Sequence, residues 1–185
     1  MAEFGAKHPC FKPEGEGAEL AVIGKLVSAN LTVTLASGEL YADDELAEQV
    51  SEFASGSIAM ETDDMTDENA SVVYGCKVAD KVVVDNVGDT APAGRLGYYK
   101  VLMRNKKKFY KGFFYPRVKA ALGNDNAQTR GSNITFQTTS TTFTVFADEN
   151  GDWRKRQTFE KEAEALAWVE SMVNGETTQT QEEST

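Results

Sequence analysis

Histidine, cysteine and paired carboxylates carry most protein chemistry, and in this 185-residue chain each stands in a setting that points away from a catalytic centre. His8 is the single histidine and lies among Gly5, Pro9 and Pro13, with no second imidazole to share a metal or relay a proton. Cys10 and Cys76 are too few for a disulfide framework and are expected to be reduced thiols. Asp63, Asp64, Asp67 and Glu68 stand where a helix start would use them, and Asp43, Asp44, Glu45 and Glu48 read as a solvated loop. The run from Asp148 to Asp152 lacks the alternating ligands and distal Glu of a calcium loop, so Asn150-Gly151 is expected to make a tight hairpin turn. No GxxxxGK phosphate loop or nucleophile elbow occurs. The expectation is a protein that is not an enzyme and uses no cofactor and no metal.

Charge is the stronger signal. The net charge is −10, and residues 1 to 90 hold 18 acids against 5 bases. Residues 95 to 120 hold no acid and nine bases, among them Arg104, Lys106, Lys107, Lys108 and Lys111. Tyr98, Tyr99, Phe109, Tyr110, Phe113, Phe114 and Tyr115 interleave with them, a texture also used to grip single-stranded nucleic acid. The acid excess elsewhere argues against general nucleic-acid affinity, and strand alternation sends about half of these rings into a core. A cationic protein interface is the expected role. When one patch complements a different patch of the same protein, copies join in rings or filaments, and the acids Asp43 to Glu48 form such a pair with Arg104 to Lys111.

The elements that must position these patches are mostly strands. Residues 1 to 18, punctuated by Gly and Pro, read as an arm that needs a partner surface to become ordered. Val27, Ala29, Leu31, Val33 and Leu35 alternate with Ser28, Asn30, Thr32 and Thr34, a long strand with one apolar face. A loop over 37–50 and a strand over 50–62 follow, then a short helix over 64–74 that stops at Gly75. The β-branched run Val78 to Val84 and a loop from Gly88 to Gly97 lead to a hairpin, Tyr98 to Tyr115, with Lys106 and Lys107 at its turn. In that hairpin Tyr99, Val101 and Met103 share a core face with Tyr110 and Phe114. Lys100, Arg104, Phe109 and Phe113 share a wet, cationic one.

The Thr-rich run from Asn133 to Phe146 reads as a strand, since Thr is a β-branched strand former. Trp153 to Thr158 reads as a strand and Glu160 to Val173 as an amphipathic helix. The domain organisation is thus an arm over 1–18, a β domain over 19–147, an appended strand and helix over 148–174 and a polar, disordered tail over 175–185. No apolar run approaches the roughly 20 residues needed to span a bilayer, and the start lacks a basic-then-apolar leader.

The segment GELYADDELAEQVSEFASGSIAMETDDM (Gly38 to Met65), the hairpin YYKVLMRNKKKFYKGFFYPRVKA (Tyr98 to Ala120) and the Thr-rich strand Ile134 to Phe146 together resemble the major tail proteins, or tail tube proteins, of long-tailed bacteriophages and prophages of Gram-positive bacteria. The resemblance covers most of residues 20 to 147 and rests on order and texture. It implies a mainly β fold with flanking helices, a β-sandwich or split-barrel of the tail-tube type. It implies hexameric rings that stack into a tube for genome passage, with a tape measure and a terminator protein as further partners. The location would be the virion tail, after assembly in the host cytoplasm. Gly38 to Val50 would contact neighbouring subunits, which makes Tyr41, Asp43, Asp44 and Glu45, with Arg104, Lys106, Lys107, Lys108 and Lys111, the candidate inter-subunit contacts. DNA would pass without specific binding along a neutral or acidic wall. Candidate lumen residues are Ser28, Asn30, Thr32, Thr34, Asn133, Thr135, Gln137, Thr139 and Thr141. The alternative is a monomeric β-sandwich module that binds carbohydrate or single-stranded nucleic acid through its aromatic block.

Overall fold

The Gly- and Pro-punctuated start of the chain is a strand, β1 (Ala2–Pro13), and not the expected arm. The computed structural model describes residues 2–42, 45–122 and 138–175. Gly5 and His8 take positive φ values of 64° and 56°, and the pairing register shifts at each, between Phe4 and Ala6 and between Lys7 and Cys10. The punctuation therefore marks bulges inside a strand. Between and beyond the bulges the strand buries Cys10 and Phe11 completely, one on each face.

After the two-residue β2 (Ala21–Val22) come two very long strands, β3 (Leu26–Ala42) and β4 (Glu45–Thr62). They pair antiparallel from Leu26↔Thr62 to Ala42↔Glu45, so most of the expected loop over 37–50 is a continuous ladder. Then α1 (Asp67–Tyr74) is capped by Thr66, whose Oγ1 accepts from Asn69 N, and ends at Gly75 in the left-handed region with φ 76°. The valine run is a miniature hairpin of β5 (Lys77–Ala79) and β6 (Val82–Val84), turned by Asp80 and Lys81 at positive φ.

The next hairpin, β7 (Ala93–Arg104) and β8 (Lys107–Ala120), turns at Asn105–Lys106, one residue earlier than expected, with φ values of 50° and 63°. Because the register moves by two in sum, the face assignments survive: Val101 pairs with Tyr110 and Tyr98 with Phe113. The expectation that one of these faces is wet holds only near the tip. At the base both are covered, one by the core around Tyr98, Phe113 and Tyr115 and the other by the C-terminal helix.

From β9 (Thr139–Phe146) the chain passes to β10 (Lys155–Phe159) and α2 (Glu162–Asn174); the tail expected over 175–185 lies, past Gly175, outside the described residues. Asn150-Gly151 does turn the chain, with Asp148 accepting from the backbone N–H groups of Asn150 and Asp152. Yet β9 and β10 do not form a hairpin. Both run antiparallel to β8 along the same edge, β9 beside Arg117–Ala120 and β10 beside Tyr110–Phe114. Pro116, which has no N–H to give a ladder, stands at the gap between them.

Apart from the β5–β6 hairpin, the strands form one antiparallel sheet in the order β2-β1-β7-β8-β9-β4-β3, with β10 also on β8, and the sheet is not closed. It curls: the rings of Phe11 and Phe143 lie 5.8 Å apart although β7 and β8 separate their strands. Inside the curl lies a core of Phe11, Ile58, Met60, Leu96, Tyr98, Tyr115 and Phe143, to which α1 adds Val73. Outside it, α2 packs Ala165, Val169 and Val173 against Cys10, Tyr99 and Phe114. That approach needs Gly97 and Gly112. A Cβ on Gly97 would lie 2.7 Å from Val169 Cγ1, and one on Gly112 would lie 2.6 Å from Trp168.

Candidate assembly surface

Past Pro116 on β8 and Phe146 on β9, no strand among the described residues joins β8 to β4, and the sheet forks. One branch is β1, β7, β8 and β10, backed by α2. The other is the distal half of β3 and β4, which among the described residues pair only with each other. Trp153, in the segment linking β9 to β10, closes the crotch by stacking on Phe53 at 4.6 Å and 6°. Beyond Phe53 the described side chains of the two-stranded branch are in the open. Every side chain from Thr32 to Glu39 and from Gln49 to Glu52 is exposed, including Val33 (37%), Leu35 (57%) and Val50 (48%).

The outer edge of β3 has no pairing partner among the described residues. From Leu26 to Ala42 it also carries no Lys, Arg or Pro, the residues that usually blunt such an edge. Of the candidate contacts on this branch, Asp43 and Asp44 lie outside the described residues. Near the tip, Tyr41 pairs with Leu46 and Glu45 with Ala42 in the backbone ladder.

Among the described residues no element covers the convex face of β3, β4 and β9 where α2 ends. Ser28, Asn30, Thr32 and Thr34 share it, paired with Glu61, Ala59, Ser57 and Ser55. Ser140, Thr142 and Thr144 extend it on β9. Ser28 Oγ donates to Glu61 at 3.2 Å, and Lys119, opposite Thr144, ends the surface on β8. Thr139 and Thr141 belong to the other face. Thr141 is 3% exposed, opposite the buried Met60, and its hydroxyl lies 2.7 Å from Tyr74 Oη. Alternation had the right period on β9 but the wrong phase, because hydroxyls occupy both faces and give the sequence no apolar marker there. Asn133, Thr135 and Gln137 lie outside the described residues.

At the tip of the other branch Lys100, Arg104, Lys106, Lys107, Lys108 and Lys111 are gathered on two adjacent strands. Two rungs set cation against cation, Lys100↔Lys111 and Arg104↔Lys107. Lys100 and Lys111 both lie over Phe113, at 5.4 and 5.6 Å from its centroid, and Arg104 lies 5.9 Å from that of Phe109. Such contacts hold a cation without neutralising it. Among the described residues none of the six forms an ion pair.

No family model and no curated protein matches the chain. The reactive side chains sit as structural parts. His8 Nε2 lies 2.9 Å from Glu170 Oε1, between a bulge of β1 and α2, without hydrogen-bond geometry. Burial pushes the Cys10 thiol up to about 12, and Cys76 is shifted upward too; both cysteines are free and buried. Glu162 Oε1 accepts from Lys7 Nζ at 2.9 Å and Tyr99 Oη at 2.8 Å, which holds its carboxyl below the usual range. Among the described residues no three His, Cys, Asp or Glu are grouped to hold a metal ion. Five rings of the aromatic block, Tyr98, Tyr99, Phe113, Phe114 and Tyr115, are at most 6% exposed, so they offer no open face for a sugar or base to stack on.

Proposed function

We propose that this chain is a structural subunit of a long-tailed phage tail tube, joining with its own copies into hexameric rings that stack around the genome's path. The observation that carries the reading is the projecting β3–β4 branch. A lone two-stranded ribbon with valines and a leucine in water is marginal at best, and its free edge is a template for another strand. About ten residues of strand beyond the body reach roughly 30 Å, far enough to lie across a neighbour. The fork in the sheet is in keeping with a split-barrel of the tail-tube type.

The bare convex face supports the same reading as the channel wall. Small hydroxyls with Glu61, and Lys119 at the margin, give phosphates little to adhere to. Tape measure and terminator proteins would meet the ring faces, in a virion tail assembled in the host cytoplasm. Negative-stain microscopy of purified protein, alone and with tail-initiation components, tests the proposal. Rings or tubes with an axial channel are expected, and persistent monomers in both conditions would defeat it.

A further inference from the structure

The sheet has two unlike ends. Strands β4 and β8 are both antiparallel to β9, so they run in the same direction. They share the rung at Val145, which pairs with Gly56 on one side and Val118 on the other. The two hairpin tips lie upstream of that rung, where β4 starts at Glu45 and β8 at Lys107, so both branches of the fork leave one end of the molecule. Downstream of it β4 finishes at Thr62, and β7 begins at Ala93 opposite Lys119. The segment from Asp63 to Pro92 therefore leaves and rejoins the sheet at the opposite end.

That segment carries a protrusion. Gly75 and Thr90 close its neck, since a Cβ on Gly75 would lie 2.7 Å from Thr90 O. Every residue from Lys77 to Gly88 is exposed apart from the half-buried Val83, and Val87 is fully so. In the β5–β6 hairpin Val82 and Val84 share one face with Ala79, and Val78 stands with Val83 on the other. A hairpin this short, with valines in water, has little to hold it alone. It is acidic too, because residues 63 to 89 hold seven acids and two bases. Among the described residues none of Asp67, Glu68, Asp80 and Asp85 forms an ion pair.

The fork at the other end has the matching surfaces. Val33 and Leu35, both exposed, continue the concave face of β3 past Leu31, and Leu35 pairs with Phe53, on which Trp153 stacks. Arg154 lies over Trp153 at 4.5 Å. The other branch turns cations to the same concave side: Lys100 and Lys111 over Phe113, and Arg156 paired with Phe113 from β10. Among the described residues these cations form no ion pair. Of the acids on the β3–β4 branch, Glu39 accepts from Gln49, and Glu52 stands on the convex face beside Ala36. An apolar wall and a cationic wall joined by an indole suit a guest that is apolar and acidic at once.

We propose that the valine hairpin of one copy docks in the fork of a second copy, its valines against Val33, Leu35 and Trp153 and its carboxylates against Lys100, Lys111 and Arg156. The two surfaces lie at opposite ends of one chain, so a docked copy keeps its own fork open for the next. The contact is heterologous and propagates head to tail, for any ring number and any direction of the ring axis. Hairpin against hairpin would set acid against acid. A polynucleotide would meet the cations but leave Val33 and Leu35 in water.

The inference rests on the tube reading only in taking a second copy as the partner, and five chains separate the two. One carries Asp80→Lys and Asp85→Lys; one carries Lys111→Glu and Arg156→Glu; one carries both sets; one carries Val87→Ser; the fifth is unaltered. Light scattering gives the concentration at which copies associate, and thermal melting verifies that each chain is folded. Each charge set alone should raise that concentration on the order of tenfold. The doubly reversed chain should associate like the unaltered one, and so should an equimolar mixture of the two singly reversed chains, where hairpin and fork meet opposite signs in alternation. Asp80→Asn with Asp85→Asn repeats the test without a lysine at the positive φ of position 80, and a smaller rise is expected. Val87→Ser should also raise the threshold while leaving the melting temperature unchanged, because Val87 is fully exposed in the single chain. Failure of either the doubly reversed chain or the mixture to recover would overturn the pairing of these surfaces. Equal association by all five chains would overturn it too and leave the tube reading standing. An unaltered chain that stays monomeric with initiation components would remove the tube reading and this contact with it.

Discussion

Glu162 collects two donors on one oxygen at the start of α2, Lys7 from β1 and Tyr99 from β7, so a single carboxylate ties the helix to two strands. Its lowered pKa has a defined pH consequence. A carboxyl whose folded pKa lies below its unfolded one adds stability above the ordinary range, about 4.3 for Glu, and loses it as pH falls through the lowered value. Glu162→Gln should therefore melt lower than the parent at about pH 7, and the gap should shrink at about pH 3. An equal gap at both pH values would show that the charge contributes nothing. The side chain is 42% exposed, so solvent screening keeps the effect modest. None of this was legible in the sequence, because Lys7, Tyr99 and Glu162 are brought together only by the β1–β7 register and the docking of α2.

At the scale of elements, Gly97 and Gly112 decide how α2 sits. The helix rests where two adjacent strands present hydrogen instead of a side chain. Gly112→Ala should cost roughly 1–3 kcal/mol by overpacking against Trp168, read as a lower denaturant midpoint with an unchanged m value. An unchanged midpoint would mean that the helix can shift without penalty. What the sequence revealed of the elements follows their physical signal. Strict alternation over Val27 to Leu35, the Thr66 and Gly75 caps of α1 and the amphipathic spacing of α2 each leave a local mark, and each element is present. The start of the chain was misread because Gly and Pro mark a bulge as readily as an arm. The ladder beyond Ser37 is not the expected loop: Glu39, Gln49 and Val50 are exposed, and where no face is buried the sequence has no reason to alternate. Asn150-Gly151 makes a turn wherever the flanking strands go, and their common edge on β8 is a long-range fact.

At the scale of the whole molecule, the fork separates a body with two packed cores from a branch whose described side chains are exposed, which on the proposed reading awaits a neighbour. Replacing residues 37–50 by a two-residue Asn-Gly turn should leave the thermal stability of the body nearly unchanged, within about 0.5 kcal/mol, because the side chains described there are exposed. The same change should abolish ring formation in microscopy, and rings formed without the branch would shift the interface elsewhere. Charge asymmetry along the chain was visible from the sequence, but the common direction of the two tips was not. It depends on which strand lies between them, and only the β8–β9–β4 order supplies that. The two tryptophans happen to divide along the same line. Trp153 stacks on Phe53 at the root of the branch, whereas Trp168 contacts Phe159 on the outer side of the body. With Trp168→Phe, the one remaining indole becomes a built-in optical gauge at the crotch of the fork, able to time the moment when a branch is captured without any attached dye.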